Sequence, residues 1–297
     1  MVYNFDTKEK NRCFADLHTH TTASDGLLTP SQLVRQALQA GLRAIGVTDH
    51  DSTDGLKEAM AAGQQMGIQV IPGVELNTQV DEDEIHILGY YINYDLPWFQ
   101  DMLATIRHAR WARAKKMVEN LRRIYNFDIS FEEVEQEVTE GAVGRPHIAR
   151  VLVKKGIVKD VAEAFEKYIG TDCPAYEPRY RLTLEEGIKT IKDAGGVPVL
   201  AHPGLLKDQK HTMLAIELGV QGIEAIHSKH TAEQCEHYKI LARKHGLIVT
   251  GGSDYHGEKG EDMPQLGDIK IPCSVIEELK SLAQKHIPVQ PCDENKI

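Results

Sequence analysis

Histidine and carboxylate residues gather at the ends of short apolar runs throughout this chain, and that arrangement constrains its fold more than any other feature. The groups are Asp16/His18/His20, Asp25, Asp49/His50, Glu75, His86, His202, His227/His230 and Asp254/His256. The runs before them read as strands over 13–17, 44–48, 69–74, 85–92, 197–201, 222–225 and 248–250, with a further strand at 268–271. Helical patterns over 30–40, 53–66, 183–194, 211–218 and 231–245 fall between them, so strand and helix alternate. In a closed barrel of parallel strands the carboxyl ends share one face. Polar residues far apart in sequence then meet in one cavity.

The rhythm breaks between residues 96 and 181. Apolar residues recur there at helical spacing over 98–125, 131–138, 146–154 and 161–168, with no strand between. The chain therefore divides into a barrel, 1–95 and 182–297, and an all-helical insert, 96–181, placed to cap the site. Thr29 before Pro30 reads as a helix start, and Gly41 and Gly67 as helix ends. The acidic run 81–84 reads as a hairpin tip in water and the tail 290–297 as frayed.

Composition narrows the partners. With 34 basic and 44 acidic side chains the net charge is −10, which excludes a broad basic coat for long nucleic acid but not a local cationic site. No apolar stretch approaches the roughly 20 residues that cross a bilayer, and the first residues lack a secretory pattern. Cys13, Cys173, Cys235, Cys273 and Cys292 form no CxxC pair, which fits free thiols in a reducing compartment. A cytoplasmic protein with no membrane partner is expected.

DLHTH is the sharpest motif. Side chains at i and i+2 of extended backbone point the same way, so His18 and His20 share a face and can grip one divalent ion. Asp16 falls on that face and is expected to orient an imidazole. GGSDYH repeats the spacing with Asp254 and His256, behind glycines that permit close packing. TDHD offers His50 as a ligand with Asp49 behind it, while Asp51 caps the following helix. Glu75 emerges from an apolar run, which is costly unless it is paired or metal-bound. His202 follows the apolar VPVLA. His86, in EIHILGYY, divides evenly between sheet packing and ligation. One of His227 and His230 faces the cavity. His108, His211, His237, His245 and His286 read as solvated or capping residues.

DLHTHTTASDG, AIGVTDHD, VIPGVELN, VLAHPG and GGSDYHG, in this order and over nearly the whole chain, resemble the polymerase-and-histidinol-phosphatase (PHP) metallo-phosphoesterases. The resemblance implies an α/β fold, a distorted barrel of seven βα units with up to three metals at the strand carboxyl ends. It implies that His18, His20, Asp25, His50, Glu75, His86, His202, Asp254 and His256 are ligands; spacing alone leaves Asp25 as a turn residue. The implied partition puts His18, His20, Glu75 and Asp254 around one ion, Asp25, His50 and His256 around another, and Glu75, His86 and His202 around a third. Two to three divalent ions are thus expected, manganese first, with zinc or iron also suited to mixed imidazole and carboxylate ligands. GRPHIAR at 144–150 and RHARWARAKKM at 107–117 resemble a branch that removes the 3′-phosphate of nucleoside 3′,5′-bisphosphates. Some members of that branch degrade short 5′-phosphorylated oligoribonucleotides.

Phosphate-ester hydrolysis needs an activated water, neutralised phosphoryl oxygens and a stabilised leaving oxygen, and clustered divalent ions supply all three. No protein nucleophile is then required, and no GxSxG elbow is present. Arg145 is the first candidate for phosphate, since a guanidinium binds it bidentately, with His147 beside it. Arg107, Arg110 and Arg113 recur every three residues, as a solvated stripe or as contacts to a second phosphate. His230 is a candidate near the leaving group. The competing readings are a histidinol-phosphate phosphatase and a non-catalytic metal-binding regulatory module. None of the nine implied ligand positions is substituted, which argues against the latter.

Overall fold

The computed structural model describes residues 13–286 apart from 82, 139–142, 179–181, 259 and 261–262. The tail 290–297, Cys292 and Glu82 of the acidic run lie outside the described residues. The elements run β1 (Phe14–Asp16), α1 (Pro30–Gln39), β2 (Ala44–Val47), α2 (Leu56–Met66), β3 (Gln69–Val80) and β4 (Asp83–Tyr90). Four helices follow: α3 (Pro97–Tyr125), α4 (Phe131–Glu137), α5 (Arg145–Lys154) and α6 (Val161–Ala164), the last running into a π-helical turn, Phe165–Ile169. The alternation then resumes with β5 (Leu182–Thr183), α7 (Leu184–Asp193), β6 (Val197–Leu200) and α8 (Lys210–Glu217). It ends with β7 (Gly222–His227), α9 (Ala232–Lys244), β8 (Ile248–Gly252), β9 (Ile271–Pro272) and α10 (Ser274–His286).

The strands form one sheet in the order β8-β7-β6-β4-β3-β2-β1-β9, with β5 added beside β3. β1, β2 and β3 pair in parallel, as do β6, β7 and β8. The ends of the sheet meet: the Leu17 N–H donates to the Gly251 carbonyl at 3.2 Å, and Thr19 bridges Tyr255 in parallel. The result is the expected distorted, nearly closed α/β barrel. It is not parallel throughout, because β4 lies antiparallel between β3 and β6. The β3–β4 hairpin places His86 in mid-strand, opposite Asn77, rather than at a strand's carboxyl end. β3 also outruns the apolar stretch that marked it, since its later residues face the polar centre.

Local chemistry sets the element ends. Thr29 and Gln32 form a capping box around the start of α1, with Pro30 in its first turn. Gly252 is required for close approach, because a Cβ there would stand 2.2 Å from that of His18. Apolar clusters line the sheet, the two largest holding Val74, Leu76, Ile87, Ile188 and Leu200, and Leu17, Ile71, Leu88, Val199 and Leu279. The helices after β4 have a cluster of their own, including Met117, Leu121, Val134, Ile148 and Leu152. α3 joins the two regions, since Phe99, Leu103 and Ile106 in its first turns pack on the barrel.

Several expectations are corrected. Asp83 is buried and accepts bonds from the Lys207 and Asp208 N–H groups and a contact of 2.9 Å from His211 Nδ1, so the acidic run is a latch rather than a tip in water. His211 is accordingly buried rather than solvated. His286 also has partners, the Gly196 carbonyl at 2.8 Å and the Gln221 side chain at 2.9 Å. Cys13 and Cys273 form a disulfide across a sequence separation of 260, while Cys173 and Cys235 are free. The antiparallel pairing of β1 with β9 brings the two sulfurs together, which spacing could not reveal. The thiol argument for a reducing compartment is thereby removed. Among the described residues no helix is long and apolar enough to cross a membrane.

Candidate metal centre

Glu75 stands at the middle of the barrel mouth. It is fully buried on β3, and the backbones of His50 and Glu75 bridge in parallel. Its Oε2 lies 3.2 Å from His18 Nε2, 3.2 Å from His20 Nε2 and 3.0 Å from His50 Nδ1. Its Oε1 lies 2.7 Å from His86 Nδ1 and 3.2 Å from His202 Nε2. Asp254 closes one side, with Oδ1 3.4 Å from His18 Nε2 and 3.1 Å from His20 Nε2. On the other side Asp25 Oδ1 is 3.2 Å from His256 Nε2. The structure thus brings together every residue of the expected ligand set.

The donors group as ion sites would. Mutually close sets are His18/His20/Glu75/Asp254, His20/Asp25/His50/His256 and His50/Glu75/His86. The first coincides with the expected partition; the second adds His20, and in the third His50 replaces His202. Donors about 2.0–2.2 Å from a shared ion stand roughly 3.0–3.6 Å from one another, close to most of the separations found here. Among the described residues His18 Nε2, both nitrogens of His20, Glu75 Oε2, His86 Nδ1 and Asp25 Oδ1 are buried without a hydrogen-bond partner. Such orphaned polar atoms are costly unless something unites them. Imidazole and carboxylate donors in this arrangement fit divalent ions.

Burial and close charges move the titrations of these groups in both directions: burial holds His50 and His202 below the ordinary imidazole range, while neighbouring carboxylates raise others. Burial disfavours a charged Glu75, but the imidazoles of His50, His18 and His86 outweigh it and hold its carboxyl well below the usual range. Burial likewise opposes protonation of His20, yet the Asp254 and Glu75 carboxylates push it up to about 10. His86, beside Glu75 and Glu84, is pushed up to about 9 against the same burial.

The neighbouring carboxylates do other work than expected. Asp16 accepts from the backbone N–H groups of His18 and Ser253, at 3.3 and 2.9 Å, and so ties the first ligand motif to the last instead of orienting an imidazole. Asp49 accepts from Thr21 N–H, Thr21 Oγ1 and Ser24 Oγ, shaping the loop that carries Asp25. Asp51 caps no helix, since α2 starts later, after Gly55. It accepts instead from the Asn77 N–H at 3.0 Å and side-chain amide at 2.9 Å, and from Arg110. Glu224 was missed altogether. It is fully buried in the apolar run of β7, the same signal that singled out Glu75, and contacts His18 Nδ1 at 3.0 Å.

The candidate substrate residues separate. Arg110 is buried in its pair with Asp51, so it struts α3 against the barrel and is not available to a phosphate. Arg107 lies 3.9 Å from Asp54, so the three arginines are not a solvated stripe. Arg113 donates from Nε to the Glu177 carbonyl at 2.6 Å, and one of its terminal nitrogens is buried without a partner among the described residues. Arg145 turns inward: its guanidinium lies 5.1 Å from the Phe165 ring and 5.7 Å from the Tyr176 ring, which Arg113 also faces at 5.1 Å. Glu84 stands between Arg145, at 4.0 Å, and His86, at 3.2 Å.

His147 is buried, and its Nδ1 accepts from the Gly144 N–H at 3.0 Å. Burial and Arg150 push it down to about 4, so it is neutral and carries its proton on Nε2 as a donor. His230 behaves otherwise: Nε2 accepts from Gly204 N–H at 3.0 Å and Nδ1 meets the Ala225 carbonyl at 3.2 Å. Both nitrogens are held by backbone, so His230 locks a loop and has no proton for a leaving group. Asp25, Asp254 and His256 floor a cleft of about 210 Å³, with Pro146, Lys229, Met263 and Pro264 on its walls.

Residues 16–171 match the PHP domain family. A 3′,5′-nucleoside bisphosphate phosphatase of Chromobacterium violaceum is 33% identical over 88% of this chain and 94% of its own length. The 5′-3′ exoribonuclease Rnm of Salmonella typhimurium is 35% identical over 81% of this chain and 84% of its own. Among solved structures, a metal-dependent phosphoesterase from Bifidobacterium adolescentis superposes with a TM-score of 0.83 at 33% identity, covering 90% of this chain and 96% of that one.

Proposed function

The chain belongs to the PHP domain family of metal-dependent phosphoesterases, and from that premise we propose that it removes the 3′-phosphate of nucleoside 3′,5′-bisphosphates. Short 5′-phosphorylated oligoribonucleotides are a second substrate of the same site, a reading supported by the similarity to the Salmonella 5′-3′ exoribonuclease. The observation that carries this reading is the set of imidazoles and carboxylates around Glu75, with two inward-turned arginines nearby on the helical region.

His18, His20, Glu75 and Asp254 would hold one ion, Asp25, His50 and His256 a second, and Glu75, His86 and His202 a third. When bound, such ions acidify water and neutralise phosphoryl oxygens, with manganese the first candidate. The chain's own residues do the rest. The cleft walls exclude bulk water from the reacting phosphate. Arg113 and Arg145 receive the second, unreacting phosphate in fixed orientation, because their side chains are already packed on aromatic rings. His147 offers its Nε2–H to the substrate as a neutral donor. Residues 96–181 act in this reading as a cap that supplies recognition to a barrel that supplies chemistry. Free nucleotides are cytoplasmic metabolites, and the proposal places the protein there.

Purified protein loaded with manganese should release phosphate from adenosine 3′,5′-bisphosphate far faster than from histidinol phosphate. Full metal loading with no release from the bisphosphate overturns the substrate assignment; faster turnover of histidinol phosphate replaces it. Loading of one ion or fewer, with no phosphoesterase activity, returns the chain to a non-catalytic module.

A further inference from the structure

We propose that Glu224 is a positioning residue that holds two metal ligands at once, His18 by its ring and His202 by its backbone, and so couples two ion positions through one carboxylate. The inference rests on the proposed reading of His18 and His202 as ligands.

Three observations converge on this side chain. A carboxylate is an acceptor only, so the contact from His18 Nδ1, at 3.0 and 3.2 Å to the two oxygens, fixes the proton on Nδ1. The lone pair is then on Nε2, which points at Glu75 and Asp254, where the orphaned atoms gather. Glu224 Oε2 also accepts the His202 N–H at 2.8 Å. His202 sits at φ 26° and ψ 57°, a left-handed conformation that a residue other than glycine holds only when its surroundings impose it. The bond to Glu224 is part of what imposes it. The pairing of β7 with β8 slips at Glu224/Ile226, and such irregularities re-aim a side chain.

His18, Glu224 and His227 are close enough to suggest an additional ion instead. Hydrogen bonding accounts better for His18, Glu224 and the Nδ1 of His227. His227 Nδ1 accepts the Lys229 N–H at 3.2 Å, which puts the His227 proton on Nε2; that nitrogen is buried without a hydrogen-bond partner among the described residues and makes only an ion-pair approach of 3.8 Å to Asp254 Oδ2. A ring protonated at that nitrogen supports a ligand and is not one itself.

Glu224→Gln keeps the volume but replaces one oxygen by an NH2 group, which must face either the His18 Nδ1–H or the His202 N–H. After chelator stripping, manganese titration with measured bound metal should show affinity lowered about 10–100-fold at two positions. The thermal midpoint of the metal-free variant should fall, because a buried donor then faces a donor, so the titration is run at a temperature where circular dichroism shows the variant folded. In the zinc-loaded parent, two-bond proton–nitrogen NMR spectra should show His18 protonated on Nδ1 and coordinated through Nε2, a result that does not depend on the variant folding. Unchanged manganese affinity in the variant overturns the proposal, as does His18 coordinating through Nδ1. Loss of one ion with unaltered affinity for the rest makes Glu224 a ligand and overturns it too. If the parent itself takes up no divalent ion, the metal reading fails at its root, and the parent titration alone shows it.

Discussion

The barrel mouth and the helical region both bury charge, and they do so in opposite ways. At the mouth, carboxylates and imidazoles interleave so closely that each charge has several partners, with Glu75 alone within 3.2 Å of ring nitrogens of five histidines, His18, His20, His50, His86 and His202. On the helical side, Arg113 and Arg145 lean on the rings of Tyr176 and Phe165, and Glu84 reaches Arg145 only at 4.0 Å. The first arrangement is compensated internally, and ions can be exchanged for its protons. The second is held by aromatic faces and backbone carbonyls more than by carboxylates among the described residues, and in the proposed reading an anion completes it. A phosphorylated substrate needs both.

The largest effect tests the compensated side. Glu75→Gln removes the carboxylate that two of the donor sets share, and with it several kcal/mol of charge stabilisation, so phosphate release should fall on the order of 10⁴-fold. A steady-state assay alongside metal analysis checks this. Retained activity at full metal loading would detach chemistry from the mouth. Next comes the join between the regions. Asp51→Asn leaves Arg110 buried without its charge partner, which should cost about 3–5 kcal/mol in urea denaturation. A loss below about 1 kcal/mol would mean that Arg110 swings out, and would return it to the substrate-binding candidates.

This contrast also explains what sequence could and could not reveal. His18 and His20, or Asp254 and His256, declare themselves because extended backbone puts i and i+2 on one face, and a polar residue ending an apolar run needs a reason to be there. The partners of Arg110, Asp16 and Glu224 are 59, 237 and 206 residues away, and no local periodicity encodes such pairs. The arginine spacing correctly marked one helix face. It could not tell that Asp51 would occupy the middle arginine. The antiparallel β4 escaped for a related reason: His86 ligates or packs equally well by its own sequence, and only the hairpin decides.

The helical side predicts a selective loss. Arg145→Ala removes charge-assisted hydrogen bonds of about 1.5–3 kcal/mol, so kcat/KM for adenosine 3′,5′-bisphosphate should fall roughly 10–100-fold. Adenosine 3′-monophosphate, which lacks the second phosphate, should be nearly unaffected. Arg145→Lys should restore only part, because an ammonium neither forks nor stacks as a guanidinium does. Equal losses for both substrates would move Arg145 to the reacting phosphate and erase the division of labour.

The smallest effect is the dependence of stability on pH, where the raised imidazoles of the mouth and the depressed His147 of the helical region should pull in opposite directions. At the metal-free mouth, His20 and His86 are raised from the ordinary 6.5 to about 10 and about 9, so the folded chain binds protons that the unfolded chain releases. Their contribution is complete below pH 6.5 and is lost as pH rises through 9 to 10. His147 has the contrary sign. Folded, it is depressed to about 4, so the unfolded chain binds the extra proton and stability declines as pH falls from 6.5 toward 4. Thermal midpoints of chelated protein should therefore decline on both sides of pH 6.5. Metal loading should flatten the alkaline limb, because ions then replace the protons of His20 and His86, and should also change the acid limb, to which the depressed His50 and His202 contribute. His147→Asn should reduce the acid limb by its own share and leave the alkaline limb unchanged. A variant that altered both limbs would show that mouth and cap titrate as one network and not as two.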